Sequence, residues 1–379
     1  MPDTPGGHTI KHFKYLDSAR GIAALMVFGS HYIARHFQDK VNVHYFFFLF
    51  NGNDAVSFFF VLSGFVLSYK YIVLGKPLDV KQFYVSRVFR LFPAYFLLIV
   101  VTALYTTRHY FDTKTLTELF VYNKDGFWNE ALLFRFHNTL YYPGWTLTIE
   151  MLGSFLMPFY IALAMKNRKL IPYFAVVTLI IGNNLDFSYL FFFGIIASAY
   201  YGEITGETFI QTKWYKYKYL LLALATVLFS LRQLDSVLPF GKTYHDLTYF
   251  LGIDFFTYTG LSCFVFLVAI LRSRAAQRLL EHRFLVYLGK ISYGIYLVHI
   301  IVLEVLYNFM QKYVPQQHSP VHFIIGTIVC FFCVVLAATA MHYWVELPFM
   351  RLGKRITARM KPSLIISGDK DTRDGNSPL

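Results

Sequence analysis

The feature that most constrains this chain is a succession of apolar runs, each close to the length a helix needs to cross a bilayer. A span takes about 20 mostly apolar residues at roughly 1.5 Å of rise each. Ten such runs are read along the sequence, at 19–37, 54–74, 88–107, 146–165, 169–183, 186–202, 217–231, 248–271, 291–311 and 321–346, the fifth to seventh being the shortest. Of the 379 residues, 56% are hydrophobic and only 15% are charged, whereas soluble domains carry about 25% charged residues. An ordinary soluble enzyme is thereby excluded, because too little charge is present to cover its surface. A disordered chain is excluded more firmly still. The sequence predicts an all-α, polytopic integral membrane protein of about ten transmembrane helices, with the lipid bilayer as its first partner. The opening run is not read as a cleaved signal, since it holds His31 and Arg35 and lacks a small-residue cleavage site.

The formal net charge of +13 would suggest nucleic acid on a soluble protein. Its placement says otherwise. With ten spans both termini share one side, and 26 of the 35 Lys and Arg residues fall on that side against nine on the other. The positive-inside rule then puts both termini in the cytoplasm, and the basic balance reports topology rather than a nucleic-acid partner. The longest outer loop covers about 108–145. Residues 1–350 read as one transmembrane domain, and 351–379, polar and containing Gly, Ser and Pro, as a disordered cytoplasmic tail. The three cysteines lie in apolar runs, so no disulfide framework is visible, and Cys330-x-x-Cys333 has no second ligand pair that would make it a metal site. No internal repeat of the kind found in many transporters is seen.

Ionisable groups inside spans are costly and point to function. Four are read here: His31, Glu150, His299 and Glu304. Eleven residues separate Arg20 from His31. Eleven steps of about 100° make three turns plus roughly 20°, so the two share one helix face about 16 Å apart along the axis. Glu150 enters from the outer side about one turn down, at a depth similar to His31. A histidine and a carboxylate at matched depth suit a general base and its orienting partner. An interhelical hydrogen bond of purely structural purpose suits the same spacing. Arg87 and Arg90 are i, i+3 neighbours at the cytoplasmic mouth. Two guanidinium forks there can grip phosphates or simply anchor the span. Spacing alone leaves both pairs of readings open.

Several blocks resemble the acyltransferase-3 family of membrane O-acyltransferases. They are Leu16-Asp17-Ser18-Ala19-Arg20-Gly21 with His31 following, Phe58-Phe59-Phe60-Val61-Leu62-Ser63-Gly64-Phe65, and Arg87/Arg90 followed by Pro93. Gly144-Trp145-Thr146-Leu147-Thr148-Ile149-Glu150 and Ile291-Ser292-Tyr293-Gly294-Ile295-Tyr296-Leu297-Val298-His299 continue the series, and Glu346 and Pro348 close the last span in the family manner. The blocks keep their order over about 17–350. Ser18-Ala19 stands where Gly-Leu is more usual, and no extracytoplasmic esterase-like domain follows the last span.

The resemblance implies an enzyme that transfers an acyl group, usually acetyl, from cytosolic acyl-CoA to a hydroxyl of a glycan or glycolipid of the cell envelope. It implies a multi-pass protein of a bacterial inner (plasma) membrane, with acyl-CoA as co-substrate and no permanently bound cofactor. By position, His31 becomes the base and Glu150 its orienting partner, while Arg20, Arg87 and Arg90 hold the donor's phosphates. Asp17, Ser63, Trp145 and His299 fall into supporting places. Asp17 pairs with Arg20 or caps the first span. Ser63-Gly64 permits close helix approach. Trp145 is a belt residue or shapes the acceptor's way in, and His299 is either a packing hydrogen bond or a direct participant. The rival from another class is a proton-coupled transporter, with intramembrane His and Glu as a relay. The sequence predicts a cavity running from the Arg87/Arg90 mouth to His31, with a separate outward opening near Trp145.

Overall fold

The computed structural model of the chain describes residues 13–37, 51–107, 117–118, 120, 127–133, 140–181, 189–230, 255–313, 320–362 and 364–366. The architecture is all-α. In chain order the helices are α1 (Lys14–Phe37), α2 (Gly52–Ile72), α3 (Val80–Thr106), α4 (Gly144–Lys166), α5 (Leu170–Ile181), α6 (Leu190–Ala199), α7 (Lys218–Phe229), α8 (Phe255–Arg272), α9 (Arg283–Lys290), α10 (Ser292–Tyr313), α11 (Pro320–Met341) and α12 (Leu347–Arg359). Shorter helices lie at Phe127–Ala131, Tyr201–Thr205, Lys213–Lys216 and Arg274–Leu280, and a π turn at His342–Glu346 joins α11 to α12. Among the described residues, strand is confined to β1 (Leu78–Asp79) and β2 (Ile365–Ile366), paired antiparallel.

Each of the ten apolar runs holds a helix. Among the described residues, five helical stretches can cross a membrane by length and composition: α2, α3, α4, α10 and the continuous stretch Ile324–Arg359. A sixth is added if α8 and Arg274–Leu280, bent by 94° where they meet, form one span. α1 has 24 residues, long enough to cross, but carries Lys14, Asp17, Arg20, His31 and Arg35. The outer loop expected over about 108–145 lies largely outside the described residues. The tail expected to be disordered from 351 is corrected in its first part: α12 runs to Arg359 because Gly353 is buried where the helix meets α3. Residues 367–379 lie outside the described residues.

Local chemistry sets the helix starts that matter for the site. The Asp79 side chain accepts from the Gln82 N–H at 3.1 Å and caps α3, satisfying one of the first-turn donors. α3 therefore begins eight residues before the apolar run read at 88. The start of α4 is fixed by Glu130, whose buried carboxylate accepts from the Leu140 and Tyr141 N–H groups at 2.9–3.2 Å. Tyr141 donates its hydroxyl to the carbonyls of Leu297 and Tyr296 at 2.8 and 3.1 Å, tying α4 to α10.

Small residues set the closest helix contacts. A Cβ on Gly64 of α2 would strike the Phe191 carbonyl of α6, and one on Gly194 of α6 would strike the Val61 carbonyl of α2. Backbone therefore meets backbone there, the device by which apolar helices associate in lipid. The same holds where α1 crosses α9: a Cβ on Gly21 would lie 2.7 Å from the Gly289 nitrogen. α1 is also packed on α2 and α10, which puts its polar stripe inside the bundle.

Candidate functional site

Arg20 and His31 share a face of α1, yet they meet different surroundings. Arg20 lies at the end of the bundle where α1 and α3 begin. There a cavity of about 460 Å³ is walled by α1, α2, α3, α4, α10 and α12. Its charged walls are Asp17, Arg20, Arg87, Arg90, Glu150 and Lys354, with Ser63 and Ser86 among the polar ones. Phe59, Phe60, Val66, Leu67, Leu91, Leu147 and Met350 supply apolar surface. Along α2 the wall runs from Leu67 to Val56, eleven residues apart, or about 16 Å. A cavity of this size, largely apolar with a few convergent polar groups, is the usual form of a small-molecule site.

The charges inside it are paired selectively. Arg87 forms an ion pair with Glu150, and its Nε–H donates to the Ser154 hydroxyl at 3.0 Å. Ser63 donates its hydroxyl to the same Glu150 oxygen at 3.0 Å. Both partners of the ion pair are nearly buried, with side-chain exposures of 10% and 12%, so each depends on the other for compensation. Arg20 pairs with Asp17 at 3.5 Å. Among the described residues, Arg90 and Lys354 form no ion pair.

Phe59, Thr146 and Tyr296 line the deep end of the cavity. Tyr296 and Thr146 share a hydrogen bond of 2.6 Å between their hydroxyls, and the Tyr296 hydroxyl also lies 3.2 Å from the Pro143 carbonyl. Beyond this partition are the histidines. The rings of Tyr296 and His299 are 5.7 Å apart, and those of His299 and His31 are 5.2 Å apart. Tyr142, itself exposed, meets the His31 ring edge-on at 6.3 Å. His299 is fully buried, and its Nδ1 lies 2.6 Å from the Tyr296 carbonyl. A carbonyl only accepts, so Nδ1 carries the proton and Nε2 is left as a lone-pair acceptor. That Nε2 has no hydrogen-bond partner.

Several sequence expectations are met by this geometry and others are corrected. Arg20, Arg87, Arg90, Ser63 and Asp17 do converge on one cavity, and Asp17 does pair with Arg20. Glu150 joins them, but as the partner of Arg87 rather than of His31. The physical reason is the early start of α3: Arg87 stands seven residues, about two turns, inside the helix and so reaches Glu150. His31 has His299 beside it instead. The cavity expected to run from the Arg87/Arg90 mouth to His31 is corrected: one is present at that mouth, but neither His31 nor Trp145 is among its walls, and the hydrogen-bonded Thr146 and Tyr296 are. Ser63 does more than allow close approach, since it holds Glu150. Trp145 is half-buried against the core and does not line the cavity. Glu304 pairs with Arg35 of α1 and takes a bond from Asn308 at 3.2 Å.

Of the other buried polar groups, Asp54 was not singled out by the sequence, and Glu346 was named only as closing the last span. Asp54 is buried at the start of α2 and takes a hydrogen bond from Thr259 of α8 at 3.0 Å. Its signal was an acid inside an apolar run. Glu346 is buried in the π turn, with one oxygen 2.9 Å from His342 Nδ1 and the other without a partner. π turns often mark functional positions, but nothing in the sequence pattern announces this one. Among the described residues, no three His, Cys, Asp or Glu side chains gather as a metal-binding group.

No curated protein and no solved structure matches the chain. Residues 13–339, which contain every wall of the cavity except Met350 and Lys354, match the family model described as Acyltransferase domain. With helices apolar enough to cross a membrane several times and a match over nearly its whole length, the chain belongs to the acyltransferase-3 family of membrane acyltransferases.

Proposed function

We propose that the chain is an O-acyltransferase that moves an acyl group, acetyl in the simplest case, from cytosolic acyl-CoA to a hydroxyl of a glycan or glycolipid. The supporting topology is ten spans with both termini cytoplasmic, in a bacterial inner membrane, so that the α1/α3 end of the bundle faces the cytosol. The observation that carries the reading is the cavity: cationic at that end, apolar along about 16 Å, and ending one aromatic residue short of the histidines. A nucleotide thioester has the matching form, with phosphates at one end and a long neutral arm leading to the reacting carbonyl.

In this reading Arg20 and Arg90 meet the donor's phosphates, and Arg87 is held in register by Glu150, Ser154 and Ser63. His31 takes the proton from the acceptor hydroxyl as its oxygen attacks the acyl carbonyl. The C–S bond breaks, the CoA sulfur leaves as thiolate, and the proton returns to it, so the products are an ester and free CoA. Imidazole suits this because its ordinary pKa, about 6.5, lies near neutral pH. His299 takes the orienting duty that the spacing suggested for Glu150: its unpartnered Nε2 is an acceptor for a His31 N–H. Tyr296 would have to swing aside for the thioester to reach His31. A proton-coupled transporter is less well supported, because the contacts of Glu150 with Arg87 and Ser63 commit the carboxylate that a relay would need.

The test is mass analysis of surface glycans from cells with and without the gene, repeated with purified protein, labelled acetyl-CoA and the glycan so identified. An added acyl mass that depends on both the gene and acyl-CoA is the expected result. Unchanged glycans together with pH-driven flux in the absence of acyl-CoA would replace the reading with transport.

A further inference from the structure

The charged walls of the cavity comprise four cations and two carboxylates. Arg87 is compensated by Glu150 and Arg20 by Asp17, and among the described residues Arg90 and Lys354 face the cavity without an ion pair. Arg90 is half-buried, whereas Lys354 is exposed at the rim. Lys354 lies on α12, outside the family match at 13–339, in the segment whose sequence reads as a solvated tail.

The structure holds this segment against the cavity mouth at two points. A Cβ on Gly353 would come within 2.7 Å of the Phe89 side chain, so the lack of one lets α12 lie closely on α3. Further on, Ile365 and Ile366 pair with Asp79 and Leu78, and the Val80 N–H donates to the Leu364 carbonyl at 3.3 Å. The chain after the last apolar stretch is therefore fastened to the first residues of α3. Met350 and Lys354, four apart and on one helix face, are its contribution to the wall, while the exposed Arg351 and Arg355 do not line the cavity.

We propose that Lys354 and Arg90 form a two-part phosphate site at the cavity mouth, Arg90 meeting the diphosphate of the donor nucleotide and Lys354 its ribose 3′-phosphate. The assignment rests on the acyl-CoA reading above and deepens it. With the neutral arm directed inward, the diphosphate lies nearer the cavity than the ribose phosphate, which is the order of the two cations. A phosphate monoester, with a second pKa of about 6, is close to doubly charged at neutral pH. A flexible ammonium at a rim suits such a point-like target. An anionic lipid headgroup presents the same phosphate chemistry, so the test separates the two sources.

Purified full-length protein in lipid nanodiscs is titrated with CoA and with 3′-dephospho-CoA, as wild type, Lys354→Ala and Lys354→Arg. Wild type is expected to bind CoA about tenfold more tightly than dephospho-CoA, a difference of roughly 1.4 kcal/mol. Lys354→Ala abolishes that preference by weakening CoA alone, and Lys354→Arg keeps most of it. An unchanged preference in Lys354→Ala overturns the proposal, as does an equal loss for both ligands. A Lys354→Ala protein that retains less phosphatidylglycerol, by native mass spectrometry, while binding CoA normally would give the site to lipid and also overturn it. Wild type that binds neither nucleotide would instead remove the acyl-CoA reading itself.

Discussion

Arg20 and His31 sit on one stripe of one helix, and their neighbourhoods could hardly differ more. Around Arg20 the polar groups are charged and spread over three helices: Arg20 pairs with Asp17 and Arg87 with Glu150, and Arg90 shares their cavity. Around His31 they are neutral rings: His299 is fully buried with a free lone pair, and Tyr142 stands at the outer edge. The Thr146–Tyr296 contact separates the two regions. In the proposed reading one region holds an anion and the other moves a proton. The contrast teaches that ionisable groups inside spans are not one class. A charge in an apolar surrounding needs a counter-charge, while a histidine can stay neutral until it is used.

The sharpest way to break this division is His31→Ala. Transfer should fall by about 10²–10⁴-fold, the range for loss of a general base, while CoA binding by titration stays at the wild-type level. Binding that fell together with transfer would merge the two regions into one. Next in size is Arg87→Ala, which strands Glu150 without its partner in a nearly buried site. The cost should approach 3 kcal/mol, the lower end for breaking a buried pair, read as a lowered unfolding midpoint in detergent. Replacing both partners together by Met and Leu should restore most of that stability without restoring function, and failure of the pair to do so would show a role beyond mutual compensation.

His299→Ala should lower turnover about tenfold with donor affinity unchanged. His299→Gln should recover part of the loss, because a side-chain carbonyl can accept the His31 N–H in place of Nε2. Equal defects in the two variants would reduce His299 to packing. The smallest effect belongs to the partition. Tyr296→Phe removes the bonds to Thr146 and Pro143 and should cost about 1 kcal/mol of stability, the ordinary net worth of a hydrogen bond. Donor binding should be unaffected, and a large change in it would mean that the cavity and the histidines are one space.

Much of the site was legible because helix geometry is strict. Arg20 and His31 had to share a face of α1 once that run was a helix, and Arg87 and Arg90 had to be neighbours on α3. What was not legible depended on where helices begin. The apolar run read at 88 put Arg87 at the lip, whereas the Asp79 cap starts α3 earlier and carries Arg87 about two turns inward, to Glu150. The partner of His31 was hidden for the complementary reason: His299 is on a helix far away in sequence, and only packing brings the rings together. The C-terminal helix was missed because apolar patterning stops near 346, and a run rich in Lys and Arg reads as solvated. Its close approach to α3 is permitted by the glycine at 353. The span count has the same character. Helices such as α6 and α7, of 10 and 12 residues, fall short of the length that reads as a crossing.

In the proposed reading the donor enters at the end of the bundle where α1 and α3 begin, and the acyl group leaves toward the other side. Sealed membrane vesicles of opposite orientation, loaded with the acceptor glycan and given labelled acetyl-CoA from outside, test it directly. Inside-out vesicles, which in the proposed topology expose the α1/α3 end, should label the glycan within them. Right-side-out vesicles should not label it until they are permeabilised. Equal labelling in both orientations, or labelling only in right-side-out vesicles, would contradict the account.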